Sequence, residues 1–349
     1  MAVEMLAKFL GSQTARRQLL LLDAQQRVYT QWLLTDPFDT RQVELFVESA
    51  ADVSVSAQRR MVSLANATQR RYLAEMDTDL GDFVAEVPDE VRMYSQTRSY
   101  RHAKPKVVRT KQGVAERLPT PEVFYRPVRE YRRLVQAGRD VDDALDTVAS
   151  RVKMEIATNV QLAEREAESQ VIRQAGVVDL DVTGWRRVIR PERSRTGTCG
   201  LCVAASDRVY STDELKPIHS GCQCAVMPIK EGADGDPGLR LNREDLNRLY
   251  DDAGGTAAKQ LLRTKYRVDE HGELQAVLVP QKRGEAVPRY RDSTTSPMVD
   301  LDSSDKAIAT RHLPGMRRSL ANLLKSGASE TDPRVLWQQS QILRFERML

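Results

Sequence analysis

All four cysteines of this chain fall between positions 199 and 224, as Cys199-Gly-Leu-Cys202 and Cys222-Gln-Cys224, with His219 just ahead of the second group. Soft, deprotonatable ligands gathered this tightly are what a tetrahedral zinc requires. A C-x-x-C pair bites a metal from one tight turn. The second half-site, H-x-x-C-x-C, returns after a loop of about sixteen residues, the separation of structural zinc modules. Five candidates compete for four positions: Cys199, Cys202 and Cys222, with either His219 or Cys224 completing the shell. The competing reading is a pair of disulfides or four unrelated thiols. No amino-terminal segment has the pattern of a signal peptide, so an intracellular setting that disfavours stable disulfides is expected.

A catalytic zinc keeps one position open and places a carboxylate or histidine beside it as general base. Asp213 and Glu214 lie inside the module, but a shell with three thiolates is the pattern of closed, structural sites. An H-N-H-type nuclease needs a further histidine beside its motif, and Pro217-Ile-His219-Ser supplies one only. The H-x-E and P-C-x-x-C signature of zinc deaminases is missing as well. The expectation is one structural zinc that holds a fold together.

Across 349 residues, 29% are charged, 41% hydrophobic and only 5% aromatic. That balance favours long helices with solvated faces over a single large core. The net charge of +4 permits nucleic acid nearby without arguing for it. No run of about 18 apolar residues exists, so no membrane partner is expected. Apolar residues recur at helical spacing from Thr14 to Leu34, with Leu19 to Leu22 read as the buried face, and Thr35-Asp36-Pro37 stops the pattern. Thr40 is placed to cap a second helix. Its stripe runs through Val43, Phe46, Val47, Ala50, Ala57, Met61, Leu64, Ala65 and Tyr72 to about Met76, roughly 55 Å at 1.5 Å per residue.

Arg98, Arg101, Lys104, Lys106, Arg109 and Lys111 then follow without an acid among them, interleaved with Tyr100, His102 and Pro105. A basic, proline-broken segment of this kind can grip phosphates or an acidic protein face, or it can be a solvated linker between domains. Beyond it the pattern predicts a helical hairpin. Pro127 suits a first turn, Gly138 a stop, and Asp140 a cap for a second helix running to about Ala175. Val141, Leu145, Val148, Val152, Ile156, Ala163 and Ala167 share one face of that helix, while Glu164, Arg165, Glu166 and Glu168 read as its solvated side. The period then changes: Trp185–Arg190 and Ala225–Ile229 read as strands on either side of the cysteines.

Taken in order, the helical pair with Tyr131-Arg-Arg-Leu-Val-Gln-Ala-Gly138, then Thr198-Cys199-Gly-Leu-Cys202, then Pro217-Ile-His219-Ser-Gly-Cys222-Gln-Cys224, resembles the head-morphogenesis domain of MuF-like minor capsid proteins of phages. The resemblance covers roughly residues 120–230, and Ser220-Gly221 departs from it where a Pro-Asn-like turn is expected. It implies a virion component of a tailed bacteriophage, present in several copies at the portal vertex or head interior, and in the host cytoplasm during assembly. Portal protein, major capsid protein and packaged DNA are the partners it implies. Cys199, Cys202, His219, Cys222 and Cys224 fall on the family's cysteine and histidine positions, and the resemblance supplies no catalytic residue.

After Ile229, Lys230–Gly238 reads as a linker, followed by two short helices about Gly254-Gly255 and a small hairpin turning near His271. Lys282–Asp305 is polar and expected to be unfolded on its own. Helical segments follow at Met316–Leu324 and Pro333–Leu349. The last has a largely apolar face of Val335, Leu336, Gln339, Ile342, Leu343 and Met348 that suits docking either on another protein or back on this chain. The resulting organisation is a helical region 1–97, a basic linker 98–119, a head-morphogenesis domain 120–230, a small helix and hairpin segment 231–281, and a tether with amphipathic helices 282–349. The fold class is mainly α, with long amino-terminal helices and a helical hairpin leading into a small zinc-stapled α+β module. Besides a structural capsid role, the sequence leaves open a head-maturation protease, for which none of His102, His219, His271 and His312 has a recognisable serine-protease setting. It also leaves open a zinc-containing nucleic-acid binder.

Overall fold

Apolar residues recurring every third or fourth place produce three long helices: α1 (Ala2–Leu34), α2 (Thr40–Ala74) and α4 (Val141–Val178). The computed structural model describes residues 2–94, 106–110, 113–188, 198–206, 209–212, 224–231, 243–257, 260–261, 265–271, 275–280 and 301–349. The protein is mainly helical. Around the three long helices are β1 (Met93–Tyr94), β2 (Lys106–Thr110), β3 (Gly113–Arg117), α3 (Thr120–Gln136), β4 (Val182–Val188), β5 (Thr198–Cys199), α5 (Gly200–Ser206), β6 (Ala225–Lys230), α6 (Arg243–Ala253), β7 (Lys265–His271), β8 (Gln275–Pro280), α7 (Leu301–Lys325) and α8 (Pro333–Met348). The strands pair in the orders β1-β3-β2, β4-β6 and β5-β7-β8, antiparallel throughout.

The chain falls into two compact units. The first comprises Met1–Gln18, Met61–Val87 and Gln161–Thr295; the second comprises Leu19–Arg60, Pro88–Val160 and Ser296–Leu349. Each of the three long helices contributes to both.

The second unit has an aromatic centre. Trp32 is fully buried, its ring 5.5 Å from Phe46 and 5.8 Å from Tyr131, which in turn meets Phe38 at 6.1 Å. Val28, Val43, Val47, Val128, Leu145, Val148, Val152 and Ile156 are buried as well. Removing a side chain of this size from water contributes about 1.5–3 kcal/mol. A polar relay crosses the same unit. Arg92 Nε donates to Asn159 Oδ1 at 2.5 Å, Asn159 to Ser54 Oγ at 3.3 Å, Ser54 to Gln58 Oε1 at 3.2 Å, and Gln58 Nε2 to the Asp89 carbonyl at 2.8 Å. Each polar side chain of the relay thus finds a partner, and the segment through Asp89 and Arg92 is fixed to α2 and α4.

Several helix ends differ from the sequence expectation. The cap of α2 is Asp39, whose Oδ1 accepts from Gln42 N at 3.0 Å, instead of Thr40. The proline in the first turn of α3 is Pro121; Pro127 lies inside the helix, because α3 starts at Thr120. Gly138 does end that helix, with φ +78°. Asp140 caps α4 as expected, its Oδ1 accepting from Asp142 N and Asp143 N. Leu19 and Leu22 are exposed and Leu20 and Leu21 half-buried, so α1 turns Ala24, Val28 and Trp32 fully inward and the leucine run only in part.

The carboxyl-terminal helices dock on their own unit. α7 begins at Leu301, well before Met316, and α8 is capped by Asp332, which accepts from Arg334 N at 2.9 Å. Val335, Trp337, Gln341 and Phe345 are buried, whereas Leu336 and Leu343 face outward. Ser340 Oγ and Arg347 Nη2 donate to the two carboxylate oxygens of Asp142, at 2.5 and 2.8 Å, and Arg344 pairs with Asp146. Of the two docking modes open from sequence, attachment to this chain is the one observed.

The first unit is packed with smaller side chains. Ala65, Leu73, Leu80, Ala85, Ala167, Val171, Ala175 and Val182 form one cluster; Ile172, Trp185 and Val226 form another. Gln170 presents its side-chain amide to Glu86 as a strand neighbour would, accepting from Glu86 N at 2.9 Å and donating to Glu86 O at 2.8 Å. Here the expectation of a solvated face on α4 fails for all but the half-buried Glu166. Glu164 and Arg165 are 2% exposed and Glu168 is 1% exposed.

Candidate functional site

The cysteine module is built on the β4–β6 ribbon of the first unit, which pairs Val188 with Ala225 and Arg187 with Val226. Cys224 is buried immediately before β6 begins. Cys199 ends β5, opposite Lys265 of β7. The chain turns directly into α5, which carries Cys202 in its buried face beside Val203. Val203 packs against Leu249 and Leu261, and α5 also packs against β4. The helix bearing Cys202 and the strand entry bearing Cys224 therefore share β4 as neighbour. His219, Cys222 and the side chain of Cys199 lie outside the described residues. Among the described residues no group of three or more His, Cys, Asp or Glu converges.

The return from α5 is fixed by an aromatic pair. Trp185 stacks on Tyr210 with centroids 4.5 Å apart and planes at 18°, and the two backbones exchange hydrogen bonds at 2.9 Å. Trp185 Nε1 donates to the Ser211 carbonyl at 2.9 Å, and Tyr210 Oη to the Ala205 carbonyl at 3.0 Å. The chain crosses so close to Gly184 that a Cβ there would stand 2.4 Å from the Tyr210 carbonyl oxygen, which admits glycine alone. Arg187 lies over the Trp185 ring at 5.0 Å, a cation–π contact inside the fold.

Beneath the ribbon is a sealed ionic group. Arg17 Nε donates to both carboxylate oxygens of Glu164, at 3.0 and 2.9 Å, with both side chains 3% exposed. One residue on, Arg165 pairs with Glu168 and also donates to the carbonyl oxygen of Cys224. Burial pushes the Glu168 carboxyl up, against the opposing pull of the Arg165 guanidinium. Two further side chains fasten β6. Gln69 Nε2 donates to the Val226 carbonyl at 2.7 Å, and Lys230 Nζ reaches Asp179 at 2.8 Å and the Met76 carbonyl at 2.7 Å. Thr78 donates to the same Asp179 carboxylate, whose pKa these hydrogen bonds hold below the ordinary value.

Of the basic segment, Lys106 and Arg109 stand on β2, paired with Arg117 and Val114 of β3, within an antiparallel ribbon of the second unit in place of the expected linker. Arg98, Arg101, Lys104 and Lys111 lie outside the described residues. Arg17, Gln69, Arg165 and Glu168 escaped the sequence reading because polar side chains were equated with solvent. The available signal was the i, i+3 spacing of Arg165 and Glu168 along the flank of the Ala163–Ala167 stripe.

Comparison with protein-family models, with characterised proteins and with solved structures finds no match for this chain.

Proposed function

We propose that this chain is a structural minor capsid protein of a tailed bacteriophage, acting at the portal vertex or in the head interior during assembly, DNA packaging or ejection. The observation that carries the reading is the ordered run of the Tyr131–Gly138 helical pair, C-x-x-C and H-x-x-C-x-C. Cys199, Cys202 and Cys222, with His219 or Cys224, hold one structural zinc in this reading. Support comes from the burial of Cys202 and Cys224 in one unit, on elements that both adjoin β4. Buried sulfur donors next to a short antiparallel ribbon fit a closed tetrahedral cation, which cross-links chain segments and performs no bond chemistry. Lys106 and Arg109, with Arg98, Arg101, Lys104 and Lys111, supply positive charge for DNA or for an acidic protein face.

Purified protein is expected to carry about one zinc per chain and to co-sediment with rings of the portal protein of the same phage. Protein that binds no zinc would remove the metal from this reading. Failure to join either portal or coat shells would overturn the capsid role.

A further inference from the structure

Most zinc modules are organised by their metal, because an apo site seldom has a built framework. Here the approach to β6 is bound by protein groups at several points. The Cys224 carbonyl accepts from Arg165, the Val226 carbonyl accepts from Gln69, and Lys230 is anchored to Asp179 and to the Met76 carbonyl. Arg165 is itself oriented. Its guanidinium is paired with Glu168, both side chains are at most 3% exposed, and Glu164 one residue earlier is occupied by Arg17. A planar guanidinium fork held by a carboxylate on one side leaves its other N–H groups pointing in fixed directions. One of those directions ends on the main chain of Cys224.

We infer that Arg165 is a positioning residue for Cys224: with Glu168 behind it, the guanidinium grips the Cys224 carbonyl and sets the backbone from which that thiol is presented. The inference rests on the zinc reading above only for the consequence of that placement. If Cys224 is a ligand, Arg165 belongs to the outer shell that orients the ligands, where lost partners typically cost 10–100-fold in metal affinity. If Cys224 is not a ligand, Arg165 still fixes the strand entry two residues from Cys222.

The test uses the full chain with Arg165→Lys, which keeps the charge but loses the fork, and Arg165→Met/Glu168→Leu, which removes both charges together. The double variant avoids stranding a buried carboxylate, and helix content by circular dichroism verifies that each protein is folded. Two quantities are read. The first is Zn2+ affinity by competition with a chromogenic chelator. The second is the alkylation rate of Cys224 in metal-stripped protein, located by peptide mass spectrometry. Arg165→Lys is expected to weaken Zn2+ binding by about 10–100-fold, and to raise Cys224 labelling at least about tenfold, since a released strand end exposes its thiol. Faster labelling when neither wild type nor variant binds Zn2+ would keep the positioning role and overturn the zinc reading. Wild-type labelling rates in both folded variants, together with wild-type affinity, would overturn the positioning role.

Discussion

The two halves of α4 bury different things. In the second unit the helix turns Leu145, Val148, Val152 and Ile156 inward, and its buried Glu155 is met by Arg92 and Arg151, both reachable by water at 14% and 34% side-chain exposure. In the first unit the same helix buries Ala163, Ala167, Val171 and Ile172 on one side and Glu164, Arg165 and Glu168 on another, all at 2% exposure or less. A helix covered along one stripe can leave its charges in solvent. A helix covered over more of its circumference has to bring charges inside, and each must then find a counter-charge within reach. The first unit meets that demand with Arg17–Glu164 and Arg165–Glu168; the second meets it with partly wet arginines, one of which, Arg92, also heads the relay through Asn159, Ser54 and Gln58. Sealed pairs contribute little net stability when intact and cost much when half is removed.

The largest expected effect tests the apolar side of the comparison. Trp32→Ala should cost about 4 kcal/mol, the usual range for losing a fully buried large aromatic, read as a drop in the urea midpoint at unchanged slope. A loss under about 1 kcal/mol would mean that the aromatic centre does not hold the second unit together. Next, Glu164→Gln strands the Arg17 charge and should cost about 3 kcal/mol, while Arg17→Met/Glu164→Leu should stay within about 1 kcal/mol of wild type. Equal losses in the single and double variants would refute the sealed-pair account.

A third effect concerns a buried acid held by a main-chain N–H and not by a guanidinium. Asp36 accepts from Phe38 N at 2.9 Å, and burial raises its pKa from 3.8 to about 6. The folded form therefore holds the proton more tightly than the unfolded chain, so its contribution falls as pH rises from 3.8 to about 6. Asp36→Asn should remove roughly 2–3 kcal/mol of that pH dependence, at about 1.4 kcal/mol per unit, seen by comparing urea midpoints at about pH 4 and pH 7. A wild-type pH profile in the variant would count against it. Smallest is Glu155→Gln, expected to cost about 1 kcal/mol because water reaches both arginines. A cost matching Glu164→Gln would erase the distinction between the units.

Much of the helical frame was legible because periodicity reports burial. Val43, Phe46, Val47, Ala50, Ala57, Met61 and Ala65 are all buried on α2, as their spacing predicts. The stop at Gly138 and the cap at Asp140 were legible for the same local reasons, a left-handed backbone position and an acceptor for free N–H groups. The strands about the cysteines and the hairpin of β7 and β8 were also readable from their change of period. What escaped depends on partners distant in sequence. Nothing near Arg17 announces Glu164, which lies 147 residues away, and nothing near Cys224 announces Arg165, 59 residues earlier. The ribbon of β2 and β3 was hidden by its charge, since Lys106, Arg109, Glu116 and Arg117 read as solvated coil until their pairing is seen. The leucine run at 19–22 misled in the opposite direction, for hydrophobicity permits burial without requiring it.

Each unit is assembled from three separate stretches of chain, and that governs how the protein can come into being during translation. Asp142 and Asp146 have their arginine partners only once the ribosome has produced residues 344 and 347, some 200 positions later. No contiguous fragment holds one unit without part of the other: the first is complete only once Thr295 has been made, the second only with the stretch from Ser296 to Leu349. In a nascent chain the second unit should therefore stay sensitive to protease until residues 344 and 347 have emerged, after the first is already complete.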